Sequence, residues 1–265
     1  VGLVSTASAD KVLLHVQAGV AHVTLNRPDN ANVFDLATAQ DFLRCVEAAR
    51  ADSTVRAVVL SGAGKHFCFG GDLRGMIGAG GPVEPYLLEL TAALHAAILQ
   101  LVEFEVPVIA AVNGTAAGAG VGLVAMADLA ICGESSRFNL AYTGVALTPD
   151  GSTSFFLPRL IGAKRAMELL LTNRMLSAQE ALAWGLVNRV VPDGALHEEV
   201  DALAQRLARG PRHSFAHTKR LLAESHRALE RQLDLEGRTI AAQGASPEGL
   251  EGMHAFLQKR PAKFD

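Results

Sequence analysis

Two glycine-rich turns carry the chemistry that this sequence offers most openly. One is "GKHFCFGGDL", residues 64–73; the other is "GTAAGAGVGLVAMAD", residues 114–128. Each follows a strand-like apolar run and leads into a helical pattern. A helix start leaves backbone N–H groups without intrahelical partners and carries the positive end of the helix dipole. Such groups suit an anionic oxygen, and two of them facing one point make an oxyanion hole. Singly, each turn has a plainer reading. Asp72 can cap the helix after the first, and the small residues of the second can let a helix pack closely.

The elements that would position these turns are legible as alternating patterns. Strand-like runs are "VLLHV" (12–16), "VAHVTL" (20–25), "AVVLSG" (57–62), "VPVIAAV" (106–112) and "DLAIC" (128–132). Gly19 between the first two predicts a hairpin. Helical spacing places Leu36, Ala39, Phe42, Leu43 and Val46 on one face of residues 35–50, and Leu87, Leu90, Leu94, Ile98 and Leu101 on one face of 86–101. Strands alternating with helices predict crossover units and a mainly parallel sheet. From about residue 163 the pattern is helical. Ser177 with Glu180 reads as a capping box, "LHEEVDALAQRLA" and "LERQLDLEGRTIAA" as amphipathic helices, and Ser246-Pro247 as the start of another. "GAGGP" (78–82) reads as a mobile surface loop.

Composition narrows the class. The chain has 265 residues, 49% hydrophobic and 19% charged, which fits one large well-buried domain rather than disorder. A net charge of -3 gives no footprint for nucleic acid. Three cysteines, Cys45, Cys68 and Cys132, form neither a disulfide framework nor a zinc spacing, so a reduced, cytoplasmic protein without a metal is expected. "VGLVSTASAD" lacks the basic flank and apolar run of a signal peptide. The uncharged run 106–127 has the length of a membrane span, about 20 residues. Pro107, Asn113-Gly114 and the alternating Gly118, Gly120 and Gly122 argue instead for a buried strand, a turn and a helix poor in side chains. No membrane partner is expected.

Ordered motifs over nearly the whole chain, from Val12 to Phe264, resemble the crotonase or enoyl-CoA hydratase/isomerase superfamily. They are "LNRPDNAN" (25–32), "HFCFGGDL" (66–73), "PVIAAVNGTAAGAG" (107–120), "ALTPDGSTSFFLPRLIG" (146–162), "LSAQEALAWGLVNRVVP" (176–192) and "GMHAFLQKRPAKF" (252–264). The resemblance implies an α/β fold, a ββα-spiral core over residues 1–195 carrying the acyl-CoA site. It implies a C-terminal helical region, 196–265, for trimerisation and for covering CoA. It also implies an acyl-CoA thioester substrate, a homotrimer or dimer of trimers, and no cofactor other than the CoA of the substrate.

Residue by residue, the family's oxyanion hole maps onto the N–H groups of Gly71 and Ala119, which would stabilise a thioester enolate. One such donor contributes roughly 2.7–4 kcal/mol in measured cases. The CoA adenine pocket maps near Asn30 and Ala31. Arg74 matches a position near the CoA phosphates. Phe256 and Lys259 match C-terminal positions that reach CoA, often from a neighbouring subunit; for Arg74 and Lys259 a solvated surface charge is the plainer alternative. Asp72 counts among the substrate-binding positions beside its capping role. Tyr142 and Phe67 would shape an apolar acyl pocket, or simply fill the core.

The departures from the family pattern select the chemistry. Family hydratases add water with two glutamates; here those positions hold Gly122 and Tyr142. Neither replaces a carboxylate as general acid or base at neutral pH. Asp150 in "LTPDGSTS" matches the base of some family isomerases, among them Δ3,Δ2-enoyl-CoA isomerases and a ring-epoxide isomerase of phenylacetate breakdown. Its alternative is to cap the helix starting near Ser152. The resemblance therefore implies an enoyl-CoA isomerase with Asp150 as acid and base. Three alternatives stand beside it. One is a hydratase or related lyase. Another is a 4-chlorobenzoyl-CoA dehalogenase-like hydrolase with Asp150 as nucleophile and His95 where the dehalogenases carry a histidine, although a histidine on an apolar helix is usually structural. The third is a catalytically silent acyl-CoA binder.

Overall fold

A computed structural model of the chain describes residues 10–223 and 229–264. Nine residues of the N-terminal stretch read above as lacking a signal, 1–9, lie outside the described residues. The chain opens with the expected hairpin of β1 (Val12–Gln17) and β2 (Val20–Leu25), paired antiparallel. Ala18 and Gly19 form its turn with φ of 50° and 79°, the left-handed backbone that matches strand twist in two-residue hairpins. Next come α1 (Leu36–Ala51), β3 (Ala57–Gly62), α2 (Leu73–Gly78), α3 (Val83–Glu103) and β4 (Val108–Val112). The chain continues through β5 (Thr115–Ala117), α4 (Ala119–Met126), β6 (Leu129–Gly133) and β7 (Arg137–Asn139). Then follow α5 (Thr153–Ile161), α6 (Ala163–Thr172), β8 (Leu176–Ser177), α7 (Ala178–Trp184) and β9 (Arg189–Val191). The last described elements are α8 (Leu196–Ala208), α9 (Arg212–Ala223), α10 (Leu229–Ala245) and α11 (Pro247–Leu257).

The main sheet has the order β1-β2-β3-β4-β6-β9 and is parallel from β2 onward. Its strands are apolar on both sides because both sides are covered. In β3, Ala57 and Val59 pack against Leu196, Val200 and Leu203 of α8, while Val58 and Leu60 join the larger core with α1, α3 and α4. The C-terminal helices share that larger core through Leu229, Leu233, Ile240, Ala241 and Met253. Fully burying a leucine, isoleucine or methionine side chain of this set contributes about 1.5–3 kcal/mol. Capping follows the sequence: Asp35 accepts from Thr38 N, Ser177 and Glu180 form the reciprocal box, and Ser246 accepts from Gly249 N.

A second, small sheet corrects the sequence reading. Thr115–Ala117 are extended and pair with β7, which pairs with β8, so a strand separates the Asn113-Gly114 turn from α4. The uncharged run 106–127 is thus broken into β4, β5 and α4 rather than forming one span. Among the described residues, α3 alone is long and apolar enough to cross a bilayer by length and composition. Its apolar stripe, Leu87, Leu90, Leu94, Ile98 and Leu101, is instead buried, with α1 and α10 packed against the helix. All three cysteines are free.

Candidate active site

The two glycine-rich turns meet. Residues 67–72 are held on one side by a bridge between Phe34 and Gly71 and on the other by a bridge between Cys68 and Ala116. In the first bridge the Gly70 carbonyl accepts from Phe34 N, and Asp72 N donates to the Phe34 carbonyl. Alternation along an extended chain therefore turns the Gly71 N–H away from Phe34. Gly70 sits so close to the second turn that a β-carbon there would fall 3.0 Å from the Ala117 carbonyl oxygen and 3.1 Å from Ala119 N. Ala119 is the first residue of α4, after the N-cap Gly118 at φ 51°. Its N–H is one of the donors a helix start leaves over. Gly71 and Ala119 both line one cavity of about 750 Å³, a size that suits a small-molecule site.

Asp150 lines the same cavity. It reaches it on a loop with two successive left-handed residues, Gly151 (φ 62°) and Ser152 (φ 70°). The loop lies directly on α4. A β-carbon at Gly122 would stand 1.9 Å from the Gly151 carbonyl oxygen, and one at Gly151 would stand 2.9 Å from the Ala119 β-carbon. No side chain fits at position 122 while this loop is in place.

The capping alternative for Asp150 is corrected. The N-cap of α5 is Ser152, with no side-chain cap. It is the main-chain oxygen of Asp150 that accepts from Thr153 Oγ1 at 2.6 Å and from the Tyr142 hydroxyl at 2.8 Å. The Asp150 carboxylate turns elsewhere: its Oδ1 lies 2.8 Å from His95 Nε2, the arrangement in which an imidazole N–H donates to a carboxylate. Its Oδ2 accepts no bond among the described residues. His95, on the apolar face of α3, is thereby tied to the Asp150 carboxylate.

A third group completes a buried cluster. Ligand atoms of His95, Asp150 and Glu236 all lie within 4.8 Å of one another. The three residues are 8%, 4% and 3% exposed. Burial opposes charge on His95, but the Asp150 carboxylate, with help from Glu236 and Asp234, outweighs it and raises the His95 pKa. Burial, then the Asp150 charge, pushes Glu236 up to about 7. Tyr142 is raised well above its ordinary value, first by burial and then by Asp150 and Glu236. Its hydroxyl is spent on a main-chain oxygen, so it offers no acid or base at neutral pH. Both Glu236 oxygens already accept N–H or O–H bonds, which commits that carboxylate to the 152–154 loop.

The remaining expected positions divide. Asn30, Asp72, Arg74, Tyr142 and Phe256 line the cavity. Asp72 also caps α2, accepting from Gly75 N at 3.2 Å, and pairs with Arg27 at 3.3 Å. Ala31, at φ 50°, lies outside the lining, and its carbonyl accepts from Phe69 N. Lys259, also left-handed at φ 52°, donates its N–H to the Phe256 carbonyl and lies outside the lining too. Phe67 is corrected as a wall of the acyl pocket: it is fully buried in the core, and Phe69, 40% exposed, lines the cavity instead. The apolar wall is otherwise made by Leu87, Leu90 and Leu94 of α3, Leu140, Leu147 and Ile240. Glu236 escaped the sequence reading altogether. Its signal was a carboxylate standing on the stripe Leu229, Leu233, Ile240 of an amphipathic helix.

Comparison with known proteins gives a concordant set. The profile described as Enoyl-CoA hydratase/isomerase matches residues 15–265. The chain is 36% identical over 256 residues to the 1,2-epoxyphenylacetyl-CoA isomerase of Escherichia coli K12, spanning 96% of this chain and 97% of that one. It is 36% identical over 246 residues to 4-chlorobenzoyl coenzyme A dehalogenase-2 of an Arthrobacter species, spanning 91% and 88%. Among solved structures, an enoyl-CoA hydratase from Mycobacterium avium subsp. paratuberculosis K-10 superposes with a TM-score of 0.87 at 32% identity, covering 96% of this chain and 98% of that one.

Proposed function

The chain belongs to the enoyl-CoA hydratase/isomerase family and has the crotonase α/β fold, and from that premise we propose that it is an enoyl-CoA double-bond isomerase using Asp150 as acid and base. The thioester carbonyl sits between the Gly71 and Ala119 N–H groups, which hold the oxygen as the enolate forms. Asp150 takes a proton from the carbon beside that carbonyl and returns it further along the conjugated chain. One carboxylate suffices, since the group that is base in the first step is acid in the second. The observation that carries the reading is that Asp150 lines the cavity with the two hole residues, its Oδ2 unengaged. Arg74 and Phe256 at the same cavity suit the phosphates and the adenine end of CoA. Self-association into trimers is part of the proposal, and sedimentation tests it.

The test is incubation with 3-enoyl-CoA and 2-enoyl-CoA in deuterated water. Double-bond migration with deuterium uptake, lost in Asp150→Asn, is the expected result. Formation of 3-hydroxyacyl-CoA that survives Asp150→Asn overturns it. Binding of the thioester with neither product points to a silent binder.

One observation favours a second reading. The His95–Asp150 pair at 2.8 Å would also serve a hydrolase in which the Asp150 carboxylate, oriented by His95, displaces chloride from an aryl carbon and the resulting ester is then hydrolysed by water. The chain's similarity to an Arthrobacter dehalogenase agrees with it. Chloride release from 4-chlorobenzoyl-CoA separates this reading from the first.

A further inference from the structure

We propose that Glu236 is a positioning residue that fixes the Asp150 loop in place and, through His95, holds the charge state in which Asp150 exchanges protons with substrate. The proposal rests on the reading of Asp150 as acid and base.

The geometry is two-handed. On one side the Glu236 carboxylate clamps the loop: Oε2 accepts from Ser152 N at 2.7 Å, and Oε1 accepts from Ser154 N at 3.0 Å and from the Ser154 hydroxyl. Gln232, one turn earlier on α10, donates to the same hydroxyl at 2.5 Å. These bonds fall on and just after the two left-handed residues. Backbone in such a region is strained at a non-glycine residue and persists only where its surroundings fix it. Ser152 is that residue, and Glu236 binds its N–H.

On the other side the carboxylate faces His95. α10 can approach α3 this closely because residue 237 is glycine. A β-carbon there would stand 3.1 Å from Thr91 Oγ1 and 3.4 Å from His95 Cε1. The titratable groups acting on Glu236 are Asp150 in the loop and His95 on α3; those acting on His95 are Asp150, Glu236 and Asp234. Neither His95 nor Glu236 lines the cavity, whereas Asp150 does. The cluster is therefore layered: Asp150 in front, His95 and Glu236 behind. An ionised Glu236 favours the imidazolium form of His95, and that form offsets the buried charge of Asp150. Two carboxylates and one imidazole this close titrate as a set.

The experiment combines NMR titration of the His95 ring with the deuterium-exchange assay in the intact 265-residue chain. In Glu236→Gln we expect the His95 midpoint to move down by about 1 pH unit, since an opposite charge at this range has been removed. Exchange should fall about tenfold or more, its pH profile displaced, with the Kd for the thioester unchanged. A His95 midpoint that stays in place overturns the proposal, even where thermal stability drops, because a mere prop for the loop would lower stability alone. Should Glu236→Gln not fold, the wild-type titration decides: the His95 ring signals must show a second step as Glu236 titrates, and a single-step curve is equally fatal. Failure of the underlying reading looks different. Asp150→Asn would then exchange deuterium at the wild-type rate, while the His95 shift in Glu236→Gln remained.

Discussion

Gly122 stands against the carbonyl of Gly151, with no room for a β-carbon between them. The position that carries a glutamate in family hydratases is here filled by the loop that delivers Asp150. The two arrangements are alternatives in space, because one backbone oxygen occupies what would be the other's side chain.

Gly122→Glu therefore should not install hydration. Overpacking of this kind costs about 1–3 kcal/mol or more, and an unpaired buried carboxylate adds to it. We expect a lowered Tm, loss of isomerisation as the loop is displaced, and no 3-hydroxyacyl-CoA. A variant with wild-type Tm that hydrates 2-enoyl-CoA would refute the steric argument.

Ala119→Pro removes one hole donor with little harm to the helix, since proline is tolerated at the first helical position. Turnover should drop by about 10²–10³-fold, with far-UV circular dichroism unchanged and a Tm within a few degrees. An undiminished rate would take Ala119 out of the hole.

Phe67 and Phe69 should behave oppositely. Phe67→Ala empties a fully buried site and is expected to lower unfolding free energy by about 3–5 kcal/mol. Phe69→Ala, at the cavity, should leave stability within about 1 kcal/mol and raise the thioester KM. Equal effects on Tm would contradict the placement of the two rings.

Glu236 also gives stability a pH signature. Its folded pKa is about 7 against an ordinary 4.5, so the folded protein keeps a proton that the unfolded chain releases. Stability then falls as pH rises from about 4.5 to about 7, on the order of 3 kcal/mol for this group in isolation. His95, raised in the folded state, contributes below its unfolded value and loses that contribution as pH rises through the folded one, which is the same direction. Denaturant titrations across this window should show a steeper fall for wild type than for Glu236→Gln. Parallel curves would remove Glu236 from the account.

What the sequence makes legible is what local periodicity encodes. β2, β3 and α8 have the limits their patterns predict, and the caps at Ser177 and Ser246 form as written. β5, β7, β8 and β9 are two or three residues long, too short for any period to register. Phe67 and Phe69 lie between elements, where no alternation says which ring turns inward. The buried cluster is hidden for another reason. Asp150 stands 55 residues from His95, and Ser152 stands 84 from Glu236, so only tertiary packing brings them together. Glu236 on an apolar stripe was a visible anomaly, yet its partners could not be read from its own helix.

The donors proposed for the hole, at Gly71 and Ala119, are main-chain groups, beside Gly70 and Gly118 and near the bridges to Phe34 and Ala116. A point mutation at 71 or 119 leaves the N–H in place unless it introduces proline. Asp150, by contrast, presents a side chain to the cavity, so the proton-transfer half of the proposed site depends on residue identity. The electrophilic half proposed for the site is thus insensitive to side-chain identity, and the proton-transfer half is not.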